Sequence, residues 1–133
     1  MKMKYTIEIP TLETLDTLTA TAHRKAQAWM LEIISNKMEH CASYGEESYT
    51  LGLEVCPYNV NQADVNEVQN TLREMGYMTT HYPRRQELFV DWSMKGRKEL
   101  AELKKNNACW KFPTKKEMEQ RRAELEKILN KGA

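Results

Sequence analysis

The chain is short of the residues that build reactive loops. Its 133 positions hold five glycines, four prolines and three cysteines, too few and too scattered for a glycine-rich nucleophile elbow or a phosphate-cradling loop. Cys41, Cys56 and Cys109 are odd in number and far apart, which fits reduced thiols in a cell interior and argues against a disulfide framework. No CxxC or HxxxH spacing joins them to His40 or His81, so they read as small apolar residues and no metal site is expected. No apolar run approaches the roughly 18 residues of a membrane span, and Met1-Lys2-Met3-Lys4-Tyr5 leads into alternating positions rather than a signal core. Nucleophilic catalysis at Cys41 or Cys56 would need a neighbouring histidine and an oxyanion donor, and the sequence has no glycine-rich elbow to supply the second. Glu46 and Glu47 fall in an expected turn, where exposure leaves them ordinary acids. These absences imply a cytoplasmic, non-enzymatic protein with no cofactor and no membrane contact.

What is present is an ordinary globular composition, 41% apolar and 29% charged, enough for one domain with a core. The net charge of +1 conceals a division. Residues 1–93 carry 8 bases and 13 acids, a net −5, whereas residues 94–133 carry 12 and 6, a net +6. An acidic body with a basic extension suggests that the extension meets an anionic partner or the body of another copy.

Tyr5, Ile7 and Ile9 alternate with polar residues as a half-buried strand does, and Pro10 ends the ladder. Leu12, Leu15 and Leu18 keep helical spacing, but five threonines between Thr11 and Thr21 disfavour helix there. From Ala20 to Ala42 the pattern Ala22, Ala26, Trp29, Met30, Ile33, Ile34, Met38 is helical, with Gly45 placed for a left-handed cap. Tyr49–Val55 reads as a second strand with Leu51, Leu53 and Val55 on one face. Asn61 is a candidate N-cap, with Asp64 favouring the helix dipole, for a helix whose stripe is Val65, Val68, Leu72 and Met75 and whose end is Gly76. A hairpin with a four-residue loop at 83–86 pairs Tyr82 with Glu87, placing Tyr77, Thr79, His81, Leu88, Val90 and Trp92 toward the core. Beyond Ser93 come a helix over Met94–Asn107 with Leu100 and Leu103 inward, anchors at Trp110 and Phe112, and a last helix opened by Thr114 and Glu117 at capping-box spacing. That helix has a thin stripe of Met118, Leu125, Ile128 and Leu129.

The order predicts an α+β fold: a small, mostly antiparallel sheet of about four strands packed against two helices, with a C-terminal helical appendage. Residues 1–93 form the body, and residues 94–133 a basic helical extension of the same domain or docked on it.

Two binding classes compete. A helix, Gly-Tyr and hairpin arrangement is that of a winged-helix nucleic-acid binder, with Arg84 and Arg85 at the wing tip. The positions expected to face solvent on that helix, Asp64, Asn66, Glu67, Asn70, Arg73 and Glu74, sum to about −2, the wrong sign for a duplex groove. The extension offers Lys104, Lys105, Lys111, Lys115 and Lys116 around Trp110, cations and a stacking surface together, though its glutamates at helical spacing also suit a solvated, salt-bridged face. Protein binding has its own support: eight methionines, three tryptophans and six tyrosines exceed what so small a core needs. Tyr44, Tyr58 and Tyr82 each flank a turn and are the expected contact aromatics, and the last helix is a candidate for pairing with another copy.

The run Leu72-Arg73-Glu74-Met75-Gly76-Tyr77, a polar hairpin, and then Leu88-Phe89-Val90-Asp91-Trp92-Ser93 resembles a recurrent ending in small accessory proteins of tailed bacteriophages. The lysine-rich extension departs from that pattern. The resemblance implies a phage-encoded protein of the host cytoplasm that binds and modulates a host protein or complex, and it carries no active site. The alternative is a small nucleic-acid-binding or regulatory protein using the extension and the hairpin tip.

Overall fold

Thr11 settles where the first helix begins: its hydroxyl accepts from the Thr14 amide at 3.1 Å, and α1 runs without a break over Leu12–Ser43. In this computed structural model, which describes residues 8–106 and 110–131, the threonine-rich start that propensity disfavours is helical all the same. Thr17 returns its hydroxyl to the Glu13 carbonyl at 3.0 Å, the local bond by which a threonine tolerates a helix interior. The expected strand over Tyr5, Ile7 and Ile9 lies mostly outside the described residues, and Ile9 is exposed and in no strand. Gly45 takes the left-handed conformation that ends α1, with φ +84°.

Among the described residues three strands follow rather than about four. They are β1 (Ser48–Gly52), β2 (Met78–Tyr82) and β3 (Glu87–Asp91), in the spatial order β1-β3-β2, and every pairing is antiparallel. The expected strand over Tyr49–Val55 stops early: the Leu53 amide donates to the Gln86 carbonyl at 2.7 Å, and Leu53–Val55 turns into a short 3₁₀ segment that leaves Val55 exposed. The hairpin has the expected register, Tyr82 opposite Glu87. Its tip is a 3₁₀ turn over Pro83–Arg85, closed by Gln86 at φ +52°.

Between β1 and β2 runs α2 (Gln62–Glu74), started by a full capping box in which Asn61 and Asp64 each accept the other's backbone N–H. Gly76, at φ +100°, ends it as expected. Helices α1 and α2 cover one sheet face, and the core between is Met30 and Ile34, Val65, Val68 and Leu72, Leu51 and Leu53, Leu88 and Val90. Burying each such side chain contributes about 1.5–3 kcal/mol. Because Leu88 and Val90 point into this core, Glu87, Phe89 and Asp91 point to the other face. There α3 (Met94–Lys105) begins, with Gly96 so near Asp91 that an added Cβ would lie 2.7 Å from its carboxylate.

Helix α3 therefore belongs to the body: Leu100 is buried and Leu103 half-buried. With four α-helices among the described residues, the expected pair of covering helices accounts for one layer only. The last, α4 (Lys115–Lys131), opens as anticipated with the Glu117 amide on the Thr114 hydroxyl at 3.2 Å, yet buries none of its residues.

Candidate functional site

The positions on α2 expected to meet solvent are the ones the structure corrects most. Asp64, Asn66 and Arg73 are buried and Glu67 and Asn70 half-buried, leaving only Glu74 of the six exposed. On one flank Asp64 receives Gln27 Nε2 at 3.0 Å, and His23 Nδ1 lies 2.6 Å from its other oxygen, so α1 is pinned to the start of α2. On the other flank Asn66, Asn70 and Arg73, spaced at i, i+4 and i+7, hold residues 110–114 as a strap. The Asn70 side-chain amide pairs with Phe112 as a strand would, accepting its N–H at 2.7 Å and donating to its carbonyl at 3.0 Å. Asn66 donates to the Pro113 carbonyl at 2.9 Å and Arg73 Nη1 to the Trp110 carbonyl at 3.1 Å. A helix covered on three sides cannot enter a nucleic-acid groove, whatever its charge.

Arg73 also donates through Nε to the Thr79 hydroxyl (3.0 Å) and through Nη2 to the Thr79 carbonyl (2.8 Å), while its guanidinium lies 4.5 Å from the Phe112 ring centre. The Thr79 hydroxyl in turn donates a hydrogen bond to Gln69 Oε1 at 3.0 Å. All these acceptors are neutral, so burial lowers the Arg73 pKa from its usual value. The group works as a bracket joining α2, β2 and the strap.

The strap carries Trp110, and here part of the nucleic-acid set comes together. Lys104 Nζ from the end of α3 and Lys111 Nζ lie 4.8 and 5.0 Å from the Trp110 ring centre. Lys111 is also 2.6 Å from Glu74 Oε1, both half-exposed. Lys105 and Lys116 are exposed, and Lys115 lines a small hollow with Ala20, His23 and Arg24. Arg84 and Arg85 are exposed at the hairpin tip, where the Arg85 guanidinium lies 5.1 Å from the Tyr82 ring.

The three tyrosines proposed for a partner do not share a surface. Tyr44 is exposed where α1 meets the Ser48 end of the sheet, its ring 5.0 Å from His40. Tyr82 is at the opposite, Glu87 end. Tyr58 is half-buried rather than exposed and lines a hollow with His81, Pro83 and Gln86. Burial lowers the His81 pKa.

Sequence reasoning missed an apolar groove. Between α1 and α2, Leu31, Ile34, Met38, Leu72, Met75 and Tyr77 line an open hollow of about 360 Å³ with Glu39 at its rim. Met75, expected to pack on the sheet, is the exposed C-cap of α2 instead and overhangs this groove. The signal was present in Leu31, one position beside Met30, and in Met38 and Met75, which end the apolar stripes of α1 and α2 beyond the buried core.

Among the described residues no group of three or more His, Cys, Asp or Glu is placed to hold a metal ion, and no helix is long and apolar enough to cross a membrane. Cys41 and Cys56 are half-buried free thiols, and burial, aided by Glu46, raises the Cys41 pKa; Cys109 lies outside the described residues. Compared with known proteins, the chain matches no family model, no curated sequence and no solved structure.

Proposed function

We propose that this protein is a non-enzymatic interaction protein whose α1–α2 groove holds a basic, amphipathic helical segment of another protein. The groove is the observation that carries this reading: it is concave, apolar, and lined by the adaptable side chains of Met38 and Met75. The sign of the partner follows from charge, since Glu39 stands at the rim and residues 1–93 carry a net −5. In the setting that the phage resemblance implies, the partner is a host protein that the groove sequesters or redirects. Titration with two synthetic helical peptides tests the reading, both with leucines at i, i+3 and i+7, one lysine-rich and one glutamate-rich. The lysine-rich peptide binds the native protein and loses at least about tenfold in affinity to a Met75→Glu variant, whose exposed site leaves the fold intact. Equal binding of both peptides, or none, overturns it.

A second reading is favoured by one observation, the convergence of Lys104 and Lys111 on Trp110. An indole flanked by two ammonium groups supports stacking of one base with neutralisation of its neighbouring phosphates. A single-stranded oligonucleotide then quenches Trp110 fluorescence, with log affinity falling against log salt at a slope of about −0.7 per phosphate contacted. Absence of binding at low salt eliminates it.

A further inference from the structure

Two helical faces are left bare, and they match. In α1, residues 12–20 project about 13 Å beyond the part that packs, every residue exposed, with Leu12, Leu15 and Leu18 between 43% and 80% accessible. In α4, Leu125, Ile128 and Leu129 are 60–73% accessible. Each stripe prolongs a face that touches the body further along the same helix. In α1 that face continues to Ala26, Met30 and Ile34. In α4 it begins at Met118, whose sulfur lies 3.8 Å from Asn66 Nδ2.

Neither segment holds a helix well alone. The projecting turns of α1 include Thr14, Thr17 and Thr19, poor helix formers. A polar helix of 17 residues such as α4 is marginal in water without tertiary packing. Their charges differ in sign. Between residues 8 and 18 the acids are Glu8, Glu13 and Asp16, with no base, while α4 carries six bases against four acids, Arg121 and Arg122 adjoining its apolar stripe.

We infer that a second copy of this chain covers both faces by exchange, α4 of each copy packing along residues 12–18 of α1 in the other. Pairing α1 with α1 would oppose Glu13 and Asp16 to the same two acids, and pairing α4 with α4 would bring the arginines together; exchange sets the acidic end of α1 against the basic α4. It is also reciprocal, so one twofold axis makes both contacts and the assembly closes as a dimer. Within one chain Lys115 already stands beside Ala20, His23 and Arg24, yet all six apolar side chains stay exposed. The surface is distinct from the α1–α2 groove, so the fate of this proposal leaves the groove reading standing.

The test is sedimentation equilibrium of the full chain and of two variants, Leu15→Glu and Leu125→Glu, at exposed sites where circular dichroism verifies that the fold is kept. The native chain is a dimer, and each variant alone has its dimer dissociation constant raised at least about tenfold. An equal mixture of the two variants regains dimer, because the intact α4 of one meets the intact α1 of the other. A native chain that remains monomeric at every concentration overturns the proposal. So does either variant that dimerises as well as the native chain, which would signal like-with-like pairing, or a mixture that dimerises no better than its parts.

Discussion

Helices α2 and α4 invert each other. Along α2 the polar side chains Asp64, Asn66, Gln69 and Arg73 are buried, each bonded to a specific group on α1, β2 or the strap. Along α4 the apolar side chains Leu125, Ile128 and Leu129 are in water. A hydropathy pattern says which face of a helix is apolar; it does not say whether the protein has anything to put against that face or its opposite. What decides is the neighbouring chain. Residues 110–114 lie along the polar flank of α2 and turn amides into fasteners, while α4 leaves the body within one turn of Met118.

The largest effect that separates the two regions is truncation. Removing residues 94–133 takes away Leu100, the Pro113 and Phe112 carbonyls that accept from Asn66 and Asn70, and the Trp110 carbonyl, one of three acceptors of Arg73, so the remainder shows no cooperative urea transition by circular dichroism. Removing residues 115–133 leaves that transition in place when measured in dilute solution. Next comes Arg73→Ala, which strips three hydrogen bonds and orphans buried acceptors; it lowers the unfolding free energy by about 3 kcal/mol, read from the shift of the urea midpoint. Asn70→Ala, losing two bonds to Phe112, costs about 1–2 kcal/mol, and trypsin cleaves faster after Lys111 as the strap loosens.

A subtler separation uses pH. Burial holds His81 below the ordinary histidine pKa of 6.5, so on acidification the unfolded chain takes up this proton before the folded one does. Its contribution to stability is complete above that pKa and declines as pH falls below it, until the folded protein is protonated too. His81→Gln flattens this part of the stability profile, and thermal melts across the range measure it. At the bottom of the scale, Leu125→Ser changes the unfolding free energy of the dilute protein by no more than about 0.5 kcal/mol. A large loss there would mean that α4 is packed on its own body after all.

What could be read in advance follows the same division. Period and punctuation sufficed for the long part of α1, for Asn61 and Gly76 at the ends of α2, and for the Tyr82–Glu87 register, because these depend on local chemistry and on one buried face. Propensity alone leaves the start of α1 undecided, and helix extends through Thr14 and Thr17 from a core anchor at Ala26. The strand expected through Val55 ended at Gly52, where Leu53–Val55 turns into a 3₁₀ segment that the alternating pattern of Leu51, Leu53 and Val55 does not reveal. The polar flank of α2 reads as a wet surface in the sequence because its partners on α1, the strap and α4 lie 37 to 52 residues away. Of the candidate site residues, Lys104, Trp110 and Lys111 converge through the strap, whereas Tyr44 is kept from Tyr82 because a sheet holds its two ends apart.

The sheet order has one more consequence, for the chain as it is made. The central strand β3 is the last of the three to be synthesised, and β1 pairs with it alone and never with β2. Both outer strands must therefore leave the ribosome with open edges and wait for residues 87–91. A pause in translation that holds residues 87–91 inside the ribosome after β1 and β2 have emerged would prolong that exposure.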